Sequence, residues 1–161
     1  MKKIFVVLMA VIALAACSTL TQAEKEQRKM AQKQAVEKAL ADRHYTIDVL
    51  MMYPQKGPGR QVNGDYSLEV KGDTLVSYLP YFGRAYQVPY GGGKGLNFSA
   101  VMDYYSATTD AKGKTIVVIG VTNDEDTYEY TLSIFDNGST TIDVSSQQRE
   151  HISYSGRMDC N

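Results

Sequence analysis

A chain of 161 residues with 43% apolar side chains is long enough to build one domain around its own core. Its 17 basic and 18 acidic residues give a net charge of −1. That balance offers no basic face for nucleic acid and no electrostatic grip on anionic lipid, so both partners are excluded on charge.

The N-terminus carries the most specific signal. Lys2 and Lys3 precede an unbroken apolar run over residues 4–16, which closes on Leu14-Ala15-Ala16-Cys17. Thirteen apolar residues are too few for a membrane span, which needs about 20. A short apolar run ending in small residues and a cysteine reads as a bacterial lipoprotein signal over residues 1–16. On this reading Cys17 becomes the first mature residue. Its sulfur carries a diacylglycerol, and its amine is acylated as well. Each buried CH₂ contributes about 0.8 kcal/mol, so two or three chains anchor stably where one would not. Ser18 is not the aspartate that retains a lipoprotein in the inner membrane. The expected address is therefore the cell envelope, lipid-anchored to the outer membrane and facing the periplasm. The competing reading is an ordinary secretory signal with an incidental cysteine.

Removing sixteen residues leaves 145, with 15 basic and 18 acidic side chains, a net −3. Lipid, not charge, then holds the protein to its membrane. With Cys17 acylated, Cys160 has no partner in the chain. It reads either as a thiol open to intermolecular pairing or as part of a frayed tail. The tail is favoured, because no neighbouring histidine or cation would activate the thiol.

Residues 22–43 lack Gly and Pro and are rich in Ala, Gln, Glu and Lys, which predicts a helix. Glu24 and Arg28 are spaced for an i,i+4 pair. The apolar stripe of Met30, Val36, Ala39 and Leu40 is thin. Residues 17–43 are thus expected to form a helical or flexible tether, reaching about 33 Å if residues 22–43 are fully helical.

After His44 the period changes from 3.6 to 2. Ile47, Val49, Met51 and Tyr53 alternate with polar or opposite-facing neighbours, as do Tyr66, Leu68 and Val70, and Tyr128, Tyr130, Leu132 and Ile134. Shorter strands are predicted over residues 75–81, 98–105, 142–144 and 152–154. The continuous run at 116–119 predicts a more buried one. Lys71-Gly72-Asp73 and Asp136-Asn137-Gly138 read as tight hairpins, and residues 110–113 and 123–126 as longer ones. About eight strands joined by hairpins, with no helices between them, predict an all-β antiparallel barrel over residues 44–161.

The densest aromatic stretch is Tyr78, Tyr81, Phe82, Arg84 and Tyr86, followed by Tyr90, with Pro80 breaking the ladder within it. Tyr and Arg supply rigid contact area, stacking and charged hydrogen bonds, so a glycan or peptidoglycan fragment could bind here. The plainer reading has these aromatics plug a barrel end while Arg84 meets a carboxylate. A second polar–aromatic stretch, residues 149–157, contains Arg149, Tyr154 and Arg157. It either closes the sheet or joins Arg84 in holding an anion. Gly91-Gly92-Gly93-Lys94-Gly95 lacks the spacing and the following helix of a phosphate loop. Asp124-Glu125-Asp126 reads as a solvated hairpin tip, since it lacks the ligand order of a calcium loop. His44 and His151 could meet only if the first and last strands pair. No GxSxG or HExxH pattern is present.

Leu79-Pro80-Tyr81-Phe82-Gly83-Arg84-Ala85-Tyr86, the turn ending Gly95-Leu96-Asn97-Phe98, Asp126-Thr127-Tyr128, Asn137-Gly138 and Ile152-Ser153-Tyr154-Ser155-Gly156 carry a resemblance. From residue 44 onward the chain resembles domain-of-unknown-function family 4251, a group of Bacteroidetes envelope proteins. The resemblance implies a small lipocalin-like β-barrel. It implies no reaction, cofactor or ligand.

The expected function is a non-enzymatic envelope protein that needs no cofactor. It binds a small ligand or an envelope partner through a Tyr-rich barrel opening formed by Tyr78, Tyr81, Phe82, Arg84, Tyr86, Tyr90, Arg149 and Tyr154. A second reading is a protein inhibitor or assembly factor inserting its 81–90 loop into a partner. The third, a hydrolase or metalloenzyme, requires His44 and His151 to converge in one cleft.

Overall fold

The computed structural model describes residues 21–87 and 93–160. One helix, α1 (Gln22–Asp42), precedes ten strands: β1 (His44–Pro54), β2 (Arg60–Gln61), β3 (Ser67–Lys71), β4 (Thr74–Leu79), β5 (Leu96–Val101), β6 (Tyr104–Thr109), β7 (Thr115–Thr122), β8 (Thr127–Ile134), β9 (Ser139–Ser146) and β10 (Ile152–Asp159). Cys17, Tyr90, Gly91 and Gly92, with the signal over residues 1–16, lie outside the described residues. No described helix is long and apolar enough to cross a membrane.

Thr21 and Glu24 start α1 with a reciprocal cap. The Glu24 amide donates to Thr21 Oγ1 at 3.3 Å, and the Thr21 amide donates to Glu24 Oε2 at 2.8 Å. The helix stops at Arg43, whose φ of 49° is left-handed. From Gln32 onward the helix belongs to the same compact unit as the sheet. Val36 and Ala39 are buried there and Leu40 is half-buried, while Met30 is exposed. Three of the four residues of the expected stripe therefore pack.

The strands form one antiparallel sheet in the order β5-β4-β3-β1-β10-β9-β8-β7-β6, with β2 flanking β1. The sheet is curled into a half-barrel. Its middle seam, β1 against β10, joins the first and last strands, from Thr46–Asp159 to Pro54–Ile152. β5 and β6 are its two ends, and the chain passes from one to the other at Met102 and Asp103. The Met102 amide donates to Asp73 O and the Asp103 amide to Gly120 O, each at 2.8 Å. The single strand predicted over 98–105 is thus broken in two. Its first half pairs with β4 and its second with β7. One bent strand hands its hydrogen bonds from one end of the sheet to the other.

The alternation expected along β1 also changes phase. A bulge between Val49 and Met51 leaves Leu50 exposed, so Met52 turns inward and Tyr53 outward. Adding one unpaired residue shifts every later side chain to the opposite face. Gly156 permits this, because a Cβ there would collide with the Asp48 carbonyl.

Among the described residues the inward-facing side chains are buried. Ile47, Leu68, Leu75, Leu79, Val117, Ile119, Leu132 and Ile142 are fully buried, together with Tyr128, Tyr130 and Tyr154. The tyrosine hydroxyls do not go unpaired. Tyr130 donates to Ser77 Oγ at 3.1 Å, and Ser77 Oγ donates on to Leu96 O at 2.7 Å. Tyr128 reaches Gly95 O at 3.3 Å and Tyr154 reaches Pro80 O at 2.7 Å. Two walls of the sheet therefore pin both ends of the β4–β5 connection from within.

Candidate functional site

The two polar–aromatic stretches of the sequence meet at one end of the sheet. β4 stops at Leu79 because Pro80 has no amide to continue the ladder. The chain then lies along the β9–β10 connection as a short extra strand. The Tyr86 amide donates to Gln148 O at 2.7 Å, the Glu150 amide donates to Arg84 O at 2.9 Å, and Ala85 bridges Arg149. The Tyr81 hydroxyl sits 2.9 Å from Arg84 O and 3.1 Å from Glu150 O. Burial pushes that phenol's pKa up, partly offset by the Arg149 guanidinium. The Glu150 carboxylate accepts the Arg84 amide at 3.1 Å and the Lys56 ammonium at 3.3 Å. The Arg84 amide, and then Lys56, hold it below the usual carboxylate range.

Beneath this segment lies a buried ion pair. Arg149 Nη2 and Glu125 Oε2 are 3.3 Å apart, with side chains 8% and 9% exposed. Glu125 also accepts the Lys94 amide at 3.0 Å, tying down the end of the Gly-rich segment. Asp126 is buried and accepts its neighbour Thr127's amide at 2.8 Å. The acidic cluster is therefore not the solvated tip expected from sequence. Two of its three carboxylates are structural. Arg149 and Tyr154, expected among the binding residues, are likewise committed to internal contacts. Arg157 stands opposite Asp48 and Ser139, toward the far end of β10, and does not join Arg84.

What remains exposed is Phe82 at 46%, with Arg84 and Tyr86 beside it in the chain. The Arg60 guanidinium lies 4.1 Å from the Phe82 ring centroid. Tyr78 stacks on Tyr66 with centroids 5.0 Å apart. A cleft of about 330 Å³ opens between Pro54, Lys56, Tyr81, Phe82, Arg84 and Glu150. Lys56 and Arg60 were not singled out by sequence. Lys56 lies on the Gly- and Pro-rich β1–β2 connection and Arg60 opens β2 directly after it, and only the fold carries them to Phe82. Three cations, an exposed ring and one carboxylate make a surface suited to an anionic group.

The model of the family described as "Domain of unknown function (DUF4251)" matches residues 27–158. The chain belongs to the DUF4251 family. The crystal structure of a DUF4251 family protein from Bacteroides eggerthii DSM 20697 superposes with a TM-score of 0.61 at 12% identity. The match covers 80% of this chain and 87% of that one. At that identity the likeness concerns the fold. No curated protein matches.

The DUF4251 fold also decides the histidine question. β1 and β10 do pair, but their antiparallel register puts His44 at one end of the seam and His151 at the other. His151 instead joins a surface chain of polar groups. Its Nδ1 is 3.3 Å from Ser145 Oγ, its Nε2 is 3.1 Å from Ser153 Oγ and 3.4 Å from Asp143, and Ser153 donates to Asp143 at 2.6 Å. The residue types resemble a hydrolytic triad. Asp143 and Ser145 lie on β9, Ser153 lies on β10, and His151 sits in the connection just before β10.

From sequence, Tyr104 reads only as part of a strand surface, beside Asp103 and Tyr105. Its ring lies across Gly120 on the outer face of the sheet, and its hydroxyl donates to Glu129 at 2.7 Å. The only signal was an exposed Tyr facing a Gly in a neighbouring strand. That pairing could be seen only by knowing the β6–β7 register.

Proposed function

We propose that this protein is a non-enzymatic, lipid-anchored binding module of the cell envelope, tethered through Cys17 and acting through its outer surface at residues 81–86. The partner is a ligand or envelope protein that presents an anionic group to Lys56, Arg60 and Arg84 and an apolar edge to Phe82. One observation carries this reading. Residues 84–86 are fastened to residues 148–150 by backbone hydrogen bonds, yet Phe82 and Arg84 are left facing outward. A rigid backbone that displays an aromatic ring and cations loses little entropy on binding. Among the described residues the inward-facing side chains are buried, which favours an external site over a lipocalin-type cavity.

A photo-crosslinking residue placed at Phe82 in the full-length protein, expressed in its native host, tests the reading. One stoichiometric adduct, lost in the double variant Lys56→Glu/Arg84→Glu, is the expected result. No adduct at Phe82 above that of a crosslinker at Lys112 on the β6–β7 turn would overturn it. The anchor is tested separately. Fatty-acid labelling should mark the wild type and disappear in Cys17→Ala.

A further inference from the structure

The outer face of β6–β9 carries a second surface of different chemistry, whose rim at Gln147 adjoins Gln148, the acceptor of the Tyr86 amide. Tyr104 pairs with Gly120, and Gly120 with Glu129, so three strands bring these residues into one row. Ser145 extends the row on β9, opposite Glu129. Because Gly120 has no side chain, the Tyr104 ring lies down on the sheet instead of standing off it. A Cβ at that position would run into the ring. Tyr104 as a whole is 47% exposed, which leaves the side of the ring away from Gly120 to solvent.

Hydrogen-bonding groups surround that ring. Glu129 receives the Tyr104 hydroxyl on one carboxylate oxygen. Asp103 receives the Thr122 hydroxyl on one of its own, at 2.8 Å. Among the described residues no hydrogen bond goes to the second oxygen of either. Ser145 and Gln147 complete the rim of a cleft of about 330 Å³ that no Lys or Arg lines.

We infer that this face binds a neutral saccharide, with one sugar ring stacked on Tyr104 and its hydroxyls hydrogen-bonded to Asp103, Glu129 and Gln147. A pyranose has an apolar C–H face and a polar perimeter, which matches a flat ring edged by acceptors and an amide. Two carboxylates and no cation disfavour an acidic glycan. A single ring, with each carboxylate already hydrogen-bonded by a hydroxyl, is a poor cage for an organic cation.

Native gels cast with dextran, mannan or galactan test this on the intact protein. Retardation by at least one neutral polysaccharide is expected. Tyr104→Ala and Gly120→Ala should each weaken it by about tenfold or more, the second by lifting the ring off the sheet. Tyr104→Phe keeps the ring and should retain most of the binding, which separates loss of stacking from loss of fold. Phe82→Ala should leave it unchanged, so failure of the 81–86 site and failure of this one are distinguishable. The inference is overturned if none of the three polysaccharides retards the protein, if retardation survives Tyr104→Ala, or if polygalacturonate or choline binds in their place.

Discussion

Arg149 occupies a position where an exposed arginine would serve a ligand, yet its guanidinium is buried against Glu125 and 5.5 Å from the Tyr81 ring centroid. Its Nε is buried without a hydrogen-bond partner among the described residues, so the pair is not fully satisfied. Removing one member strands the other charge in a dry site. Arg149→Met should therefore cost about 3–5 kcal/mol, measured by urea unfolding. The double variant Arg149→Met/Glu125→Gln should recover part of that loss. Equal losses in the single and double variants would mean that the charge is not what matters. Glu150 acts by titration instead. Its folded pKa lies below its unfolded one, because the Arg84 amide and Lys56 stabilise the carboxylate. The attachment of residues 84–86 is thus at full strength above the ordinary carboxylate pKa and weakens as pH falls through Glu150's own, lower value. The protection of the Arg84 amide, measured against the intrinsic exchange rate at each pH, should fall over that acidic interval in the wild type. It should lose the step in Glu150→Gln.

At the scale of elements, α1 is held by few contacts. Its second half buries Val36 and Ala39 and links Lys33 to Asp136 at 3.2 Å, an exposed pair worth little. Packing must carry the attachment, so Val36→Ala should lower stability by about 1–3 kcal/mol in urea, while Lys33→Ala changes it far less. β1 depends on a different device. Its bulge brings the Asp48 carbonyl close to Gly156, where backbone cannot yield as a flexible side chain would. Gly156→Ala should cost about 1–3 kcal/mol and perturb the amide resonances of Val49 and Met51 across the β1–β10 seam. A silent spectrum there would contradict the bulge geometry.

For the molecule as a whole, the tyrosines matter most. The sequence holds twelve, and Tyr45, Tyr128, Tyr130 and Tyr154 are buried in the interior. Burial pushes the phenols of Tyr45, Tyr130 and Tyr154 well above the ordinary value. Such a phenol stays neutral in the folded state while its unfolded counterpart ionises near pH 10. Their contribution to stability is complete below that pH and is lost as pH rises beyond it. Alkaline titration followed by phenolate absorbance should show these groups ionising in one cooperative step, together with the loss of the β-sheet circular dichroism. Ionisation of the buried phenols with the sheet intact would count against a packed interior.

The helix, the hairpins at Gly72 and Gly138, and most strands could be read from the chain itself, because alternation, capping and turn chemistry depend on neighbouring residues. The same local logic marked residues 79–86 and 149–157 as unusual, and it placed Pro80 at a strand end. It misjudged the inward residues after Leu50, the continuity of residues 98–105 and the solvation of Glu125 and Asp126. Each of those turns on a partner far away in sequence: Gly156 across the bulge, Asp73 and Gly120 beside the bend, and Arg149 over the acidic turn. Tyr104 lies flat only because the β6–β7 register sets it on Gly120. Composition and periodicity thus determined which segments are strands and that they close on one another. Register and curvature, which sum weak preferences over the whole sheet, alone decided which side chains became core, which became fasteners and which were left facing solvent.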